Sequence, residues 1–290
     1  MISRSSMMDS LLVSLALEPT DSGALRTAGV DDGRGRRVVF GGEMLGHAIV
    51  AAGRAMPSKL VKSVQTIFAR GAHTGSPLDV SVETMHEGRN LGSVTVTFAQ
   101  EEQLCARALV LMDVEETDLV RHQPPMPQTD RPDASSAVVH LLAAPETIIV
   151  GEVDINDPAL TGPPTLQLWV RFRGAPAGDA TVARGLLAYA TDGWLLATAM
   201  RPHPGIGQAM AHREMSTGVV SHALSFHDDF DANEWLLIDH ESLFAGRGRC
   251  YGRANVFTEN GRLVASFTQE ALLRHFPAGQ DPRGREATIF

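Results

Sequence analysis

Among the residues able to carry chemistry, Asp192 is marked out by its setting. It is the single formally charged residue between Arg184 and Arg201, inside the apolar run Leu186-Leu-Ala-Tyr-Ala-Thr-Asp192-Gly-Trp194-Leu-Leu-Ala197. A helix that is apolar on nearly all sides is buried. Burying even a neutral polar group without a partner costs roughly 2–7 kcal/mol, and a charge more. The carboxylate must therefore be hydrogen-bonded as a structural tie, neutralised, or used as an acid or base. Gln269 is its candidate partner. It lies mid-strand in Ala265-Ser-Phe-Thr-Gln269-Glu270, where an amide beside a buried carboxylate can hold and orient a water molecule. The alternative for Gln269 is a plain cross-strand hydrogen bond.

Other chemistries find less support. His222 and His227 are five residues apart on a strand-like run, so they point to opposite faces, and Asp239-His-Glu241 alternates likewise. Neither group has metal-ligand spacing, and these histidines read as surface residues. Gly41-Gly42 is neither a G-x-G-x-x-G nor a Walker pattern. The glycine pair serves either tight strand-to-helix packing, or a helix start whose N–H groups meet a carbonyl or phosphate oxygen. No G-x-S-x-G stands between a strand and a helix, and Ser221 and Ser225 read as ordinary strand polar residues.

These residues need elements to position them. Asp179 is the expected N-cap of a helix running from Ala180 to Met200, stopped by Pro202 and Pro204. In the first half a short strand, Arg37–Phe40, leads through Gly41-Gly42 into a helix to about Ala55 closed by Pro57. There Leu45, Ile49, Ala52 and Met56 form an apolar stripe beside a thin face of Ala48, Ala51 and Ala55. Four strand-like runs follow, Leu60–Phe68, Leu78–His86, Leu91–Gln100 and Leu104–Val114. The second half repeats that order. Leu166–Arg173 precedes the helix, and Val219–Phe226, Trp235–Leu243, Arg249–Thr258 and Arg262–Arg274 follow it, with Asn260-Gly261 as a hairpin turn.

The repeat is visible in residues too. Gly92-Ser-Val-Thr-Val-Thr-Phe98 and Leu104-Cys-Ala106 line up with Gly252-Arg-Ala-Asn-Val-Phe257 and Leu263-Val-Ala265, an offset of roughly 160 residues that fits a duplicated domain. Each half is then one long helix against an antiparallel sheet, an α+β architecture. The boundaries expected are an N-terminal unit over 9–114, a proline-rich linker and crossover over 115–164, and a C-terminal unit over 165–276.

Composition narrows the class. The chain has 290 residues, 43% apolar and 20% charged, with a net charge of −9. That suits a soluble protein with a sizeable core and argues against a dedicated nucleic-acid binder. Cys105 and Cys250 sit in strand-like runs with no disulfide framework, which fits a reducing cytoplasm. No segment reaches about 18 uncharged apolar residues, so no membrane span is expected. Met1–Leu17 reads as a short docking helix, capped by Asp9 and facing inward through Leu11, Leu12 and Leu15, rather than as a signal peptide.

Taken in order, a set of short words resembles the acyl-CoA thioesterase II family of double-hotdog proteins. They are Val39-Phe-Gly-Gly42, Phe68-Ala-Arg-Gly71, Trp169-Val-Arg171, Ala188-Tyr-Ala-Thr-Asp192, Ser225-Phe-His227, Asn233-Glu-Trp-Leu236, Arg247-Gly248, Gly261-Arg-Leu-Val-Ala265 and Gln269-Glu270 with Arg274 following. The resemblance implies a tandem hotdog fold and hydrolysis of acyl-CoA to fatty acid and CoA, with no metal or redox cofactor. It also implies a water held by an Asp, a Thr or Ser, and a Gln. Asp192 and Gln269 match two of these positions. The third falls on Val219, which has no hydroxyl. Ser221, two residues on and on the same face of a regular strand, is the candidate substitute at roughly 6–7 Å, and Thr217 would serve only through a bulge. Gly41, Gly42, Trp194 and Arg171 are the candidate substrate contacts. The expected partner is the acyl-CoA substrate, with no nucleic acid and no membrane span, and a homo-oligomer is compatible with the family. Two readings stay open beside hydrolysis. One is a catalytically weak or inactive acyl-CoA binder. The other, a hotdog hydratase or dehydratase, would need a His near an acid, for which His222 and Asp228 are poorly spaced.

Overall fold

In the computed structural model, the residues described are 4–21, 23–27, 38–133, 138–139, 145–151 and 153–276. The first helix is α1 (Arg4–Ser14), followed by strands β1 (Leu17–Pro19) and β2 (Leu25–Thr27) and helix α2 (Gly41–Ala55). Strands β3 (Leu60–Phe68), β4 (Asp79–Glu87), β5 (Leu91–Gln100) and β6 (Gln103–Asp113) complete the first half. The crossover holds β7 (Val138–Val139) and β8 (Glu146–Ile149). The second half is β9 (Thr165–Arg171), α3 (Ala180–Thr191), α4 (Leu195–Met200), β10 (Met215–Phe226), β11 (Leu236–Gly246), β12 (Arg249–Thr258) and β13 (Leu263–His275). The strands join in one 13-stranded antiparallel sheet, ordered β1-β2-β4-β5-β6-β3-β10-β13-β12-β11-β9-β8-β7. The order is palindromic about the seam between β3 and β10: β2-β4-β5-β6-β3 on one side mirrors β9-β11-β12-β13-β10 on the other. This is the tandem hotdog, and the residue repeat noted above falls on β5–β6 and β12–β13.

The two helices bury themselves between the halves. In α2 the stripe Leu45, Ile49, Ala52 and Met56 is at most 1% exposed, and in α3 Leu186, Leu187 and Ala188 are fully buried. The helices run antiparallel, with Gly42 against Tyr189, Gly46 against Gly185 and Gly53 against Thr181. The contact is backbone-close, since a Cβ on Gly42 would stand 2.4 Å from the Tyr189 carbonyl oxygen. These glycines therefore set the distance between the two helices. They also bring the start of α2 to the end of α3.

Several expectations change. Asp179 does cap α3, its carboxylate accepting from the Val182 N–H at 2.9 Å, but the helix does not run to Met200. It stops at Thr191, Asp192 takes the C-cap place, and α4 begins at Leu195. Gly193 costs about 1 kcal/mol relative to Ala in a helix, and the break turns the Asp192 side chain toward α2. Asp9 lies within α1 and is not its cap, while Leu11 and Leu15 are buried as expected. The strand before α2 is β2, between β1 and β4, and Val38 makes only an isolated bridge with His73. Arg37 and the Gly/Arg-rich stretch 31–37 lie outside the described residues. So does most of the apolar run Val138–Leu142, of which β7 is described, while β8 extends the sheet beyond β9 by pairing with it. The proline-rich linker is largely exposed yet strapped to the second half. The Gln123 side chain bonds to both Gly261 and Leu263, and the Trp169 indole donates to the Asp130 carbonyl at 2.9 Å.

Candidate active site

The α2 start, the α3 end and the inner face of β10 and β13 converge on Asp192. Its carboxylate accepts from the Gly42 N–H and from Gln269 Nε2, the latter at 3.0 Å to Oδ1. It is buried, and that burial pushes its pKa up to about 7, held back by the Gly42 and Gln269 hydrogen bonds. A group so placed passes between acid and base near neutrality, which is what a general base requires. Gly41 is shaped by the same carboxylate: a Cβ there would lie 2.6 Å from Asp192 Oδ2 and 3.3 Å from Phe68 Cζ. Phe40, edge-on to Tyr189 with centroids 5.2 Å apart, and buried Trp194 add further apolar wall near the same helix ends.

Gln269 is 1% exposed. Its Nε2 also reaches His222 Nδ1 at 3.3 Å, and its Oε1 is buried with no partner among the described residues. His222 in turn meets Thr191 Oγ1 at 3.1 Å through Nε2, and stacks on Phe267 with centroids 5.2 Å apart. His222 is thus no surface residue. Burial holds its pKa down at about 3, so it is neutral. His240, also 1% exposed, corrects the surface reading in the same way. The signal for both was present in the strand alternation: His222-x-Leu224-x-Phe226 and Leu236-x-Ile238-x-His240 each place the histidine on the buried face.

The register of β10 settles the third position. Val219 pairs with Ala271 and His222 with Gln269, with a bulge between Val219 and Ser221. The bulge flips the alternation. Val219 and His222 share the inner face, and Ser221 faces outward beside Glu270 and the exposed Ile67. Ser221 therefore cannot substitute for a hydroxyl at Val219. Thr217 pairs with Leu273, farther along β13 from Gln269, and its hydroxyl meets His212. Val219 itself packs against Ala199, Cys250 and Ala271. Arg171 is also displaced from its expected role. With Trp169 it lies on the outer face of β9, where it pairs with buried Glu146 and lies 4.3 Å from the Trp235 ring centroid. The alternation of β9 puts Leu168 and Val170 inward and Arg171 outward, so it does not reach Asp192. Asp228, bonded to Arg121 and Arg262, makes no pair with His222. Among the described residues no cluster of His, Cys, Asp or Glu has metal-binding geometry, and no helix is long and apolar enough to cross a membrane.

Fold and site together define a double-hotdog protein with a buried acid–amide pair where its two helices meet. Family models described as the acyl-CoA thioesterase N-terminal and C-terminal domains match residues 31–112 and 120–273. The chain is 28% identical to acyl-CoA thioesterase 2 of Haemophilus influenzae, over 93% of this chain and 99% of that one. The crystal structure of acyl-CoA thioesterase II TesB2 from Mycobacterium marinum superposes with a TM-score of 0.76 at 26% identity, over 93% of this chain and 98% of that one. A hot dog fold protein of unknown function from Alicyclobacillus acidocaldarius shares the fold, with a TM-score of 0.70 at 16% identity over 92% and 99% of the two chains. The chain belongs to the acyl-CoA thioesterase II family.

Proposed function

We propose that the protein hydrolyses acyl-CoA thioesters to the free acid and CoA, with Asp192 as general base and Gln269 as the group that orients the water. The observation that carries this is the buried 3.0 Å contact between Gln269 Nε2 and Asp192 Oδ1. It joins two side chains, 77 residues apart in sequence, that the family pattern requires to share one water. Ionised Asp192 takes a proton from the water as its oxygen attacks the thioester carbonyl. Collapse of the tetrahedral intermediate expels the CoA thiolate, and the proton on Asp192 is available to it. Gly42 spends its N–H on the carboxylate, so it orients the base and does not serve as an oxyanion donor. Gly41 and Trp194 line the approach to the reacting carbon, and the acyl chain runs along the apolar walls near them. The working units are taken as 9–114, 115–164 and 165–276, with acyl-CoA as the partner and the cytoplasm as the compartment.

Val219 favours a second reading, a weak or inactive acyl-CoA binder, because the family's hydroxyl position is here filled by methyl groups in an apolar cluster. Release of free thiol from acyl-CoAs of graded chain length decides between them. Turnover that falls about 100-fold or more in Asp192→Asn is the expected result, the loss typical of a general base. An unchanged rate in that variant overturns the assignment, and binding without turnover by the wild type establishes the second reading.

A further inference from the structure

The hydrogen bonds around Gln269 form a chain whose direction can be assigned from one end. The Ala188 carbonyl can only accept, so the Thr191 hydroxyl, 2.8 Å away, donates to it. That hydroxyl then has only lone pairs for His222 Nε2 at 3.1 Å, so Nε2 carries the ring proton. A neutral ring protonated there has a bare Nδ1, which accepts from Gln269 Nε2 at 3.3 Å. The second amide hydrogen goes to Asp192 Oδ1 at 3.0 Å. Both hydrogens of the amide are now committed, and its carbonyl oxygen is buried with no partner among the described residues, which leaves it as an acceptor for a water. The reverse chain would make Thr191 abandon Ala188 and would set Gln269 Oε1 against a carboxylate oxygen.

We propose that His222, held by Thr191 and stacked on Phe267, is a positioning residue that locks the Gln269 amide with its oxygen toward the attacking water. This inference rests on the hydrolase reading above and deepens it. Asp192 alone cannot supply the lock throughout turnover. While ionised it selects the NH2 end of Gln269, but once it has taken the water's proton it can donate to the amide oxygen, and the preference between the two orientations is lost. His222 does not change state in that step, and its deep burial keeps it uncharged. The amide therefore stays in place for the next water. With Oε1 accepting one hydrogen of the water and Asp192 the other, the lone pair of the water is left to face the thioester carbon.

The test has two arms. In one, nitrogen NMR of histidine-labelled wild type at neutral pH should find His222 neutral and protonated at Nε2; a cationic ring or the Nδ1–H tautomer overturns the proposal whatever the enzyme's rate. In the other, thiol release is compared between His222→Leu and His222→Asn, since the Asn side-chain oxygen falls near the place of Nδ1 and keeps an acceptor. The Leu variant should lose about 10- to 100-fold in kcat with little change in KM, the cost of one misdirected hydrogen bond to a charged site. The Asn variant should recover most of that loss. Equal losses in the two, or a loss confined to KM, overturns the proposal. Should His222→Leu fail to fold, His222→Asn against wild type and the tautomer measurement carry the decision. A wild type without turnover defeats the hydrolase reading, and the tautomer measurement still judges the orientation of the amide separately.

Discussion

Gly41→Ala tests the site through a residue that carries no reactive group. An ideal Cβ at this position lies 2.6 Å from Asp192 Oδ2 and 3.2 Å from its Cγ. Ordinary van der Waals contact begins near 3.4 Å, so the methyl intrudes by about 0.8 Å. The carboxylate cannot retreat freely, because the Gly42 N–H and Gln269 Nε2 both hold it. Moving it breaks at least one of these bonds. A hydrogen bond to a charged group contributes about 1.5–3 kcal/mol, which corresponds to about 10- to 100-fold in kcat/KM if it is lost in the transition state. The direction of the accompanying pH effect follows from the same bonds. Both hold the Asp192 pKa down against burial, so losing either raises it further above about 7. The alkaline-rising limb of kcat/KM, which in the wild type should bend near pH 7, should move to higher pH. The measurement is thiol release at subsaturating acyl-CoA from pH 5.5 to 9.5, with melting temperature as a folding control. A folded Gly41→Ala enzyme with wild-type kcat/KM and an unmoved inflection would refute the claim that Asp192 acts from its place against α2.

Two other outcomes are expected. Val219→Thr restores a hydroxyl on the inner face of β10 two pairs along from Gln269, and kcat should rise by about tenfold, the equivalent of one added hydrogen bond to the water site; no gain in thiol release would detach Val219 from the chemistry. Stability should also record the buried acid. The folded pKa of Asp192 is raised from 3.8 to about 7, so between those values the folded chain keeps a proton that the unfolded chain has released, and stability falls as pH rises through that window. The size is at most about 4 kcal/mol. Denaturant unfolding of wild type and Asp192→Asn from pH 4 to 8 should show the variant gaining on the wild type as pH rises, whereas parallel curves would show that the acid is not buried as described.

How much of this was legible beforehand depended on range. Local signals were reliable: the Leu45–Ile49–Ala52–Met56 stripe, the Asp179 cap and the Asn260-Gly261 turn are all set by neighbours a few residues apart, and the duplicated strand order follows from comparing such local patterns between the halves. Asp192 and Gln269 stood out because each broke an apolar pattern. What escaped was set by contacts between distant segments. The α3 break depends on Asp192 finding the α2 start, and nothing within the apolar run announces it beyond Gly193. The bulge after Val219 shifts β10 against β13 and sent Ser221 outward, although simple alternation had kept it on the face of Val219. Arg171 looked free for substrate because Glu146 and Trp235, its partners, come from other strands or loops of the chain. His222 carries no local sign of its partners, since Thr191 and Gln269 reach it from other elements, although the alternation of its own strand places it on the buried face.

The antiparallel pairing of α2 with α3 leaves the molecule with two poles, and the duplication makes them equivalent by descent. At one pole Gly42 meets Tyr189 and the acid is folded in; at the other Gly53 meets Thr181. By the repeat that aligns Leu104 with Leu263, the place of Gln269 in the first half is taken by Val110, an apolar residue 1% exposed in β6. The acid–amide pair is found at one pole alone among the described residues. The first half supplies, through Gly41 and Gly42, the helix start that holds the second half's acid, so the site needs both halves of the chain.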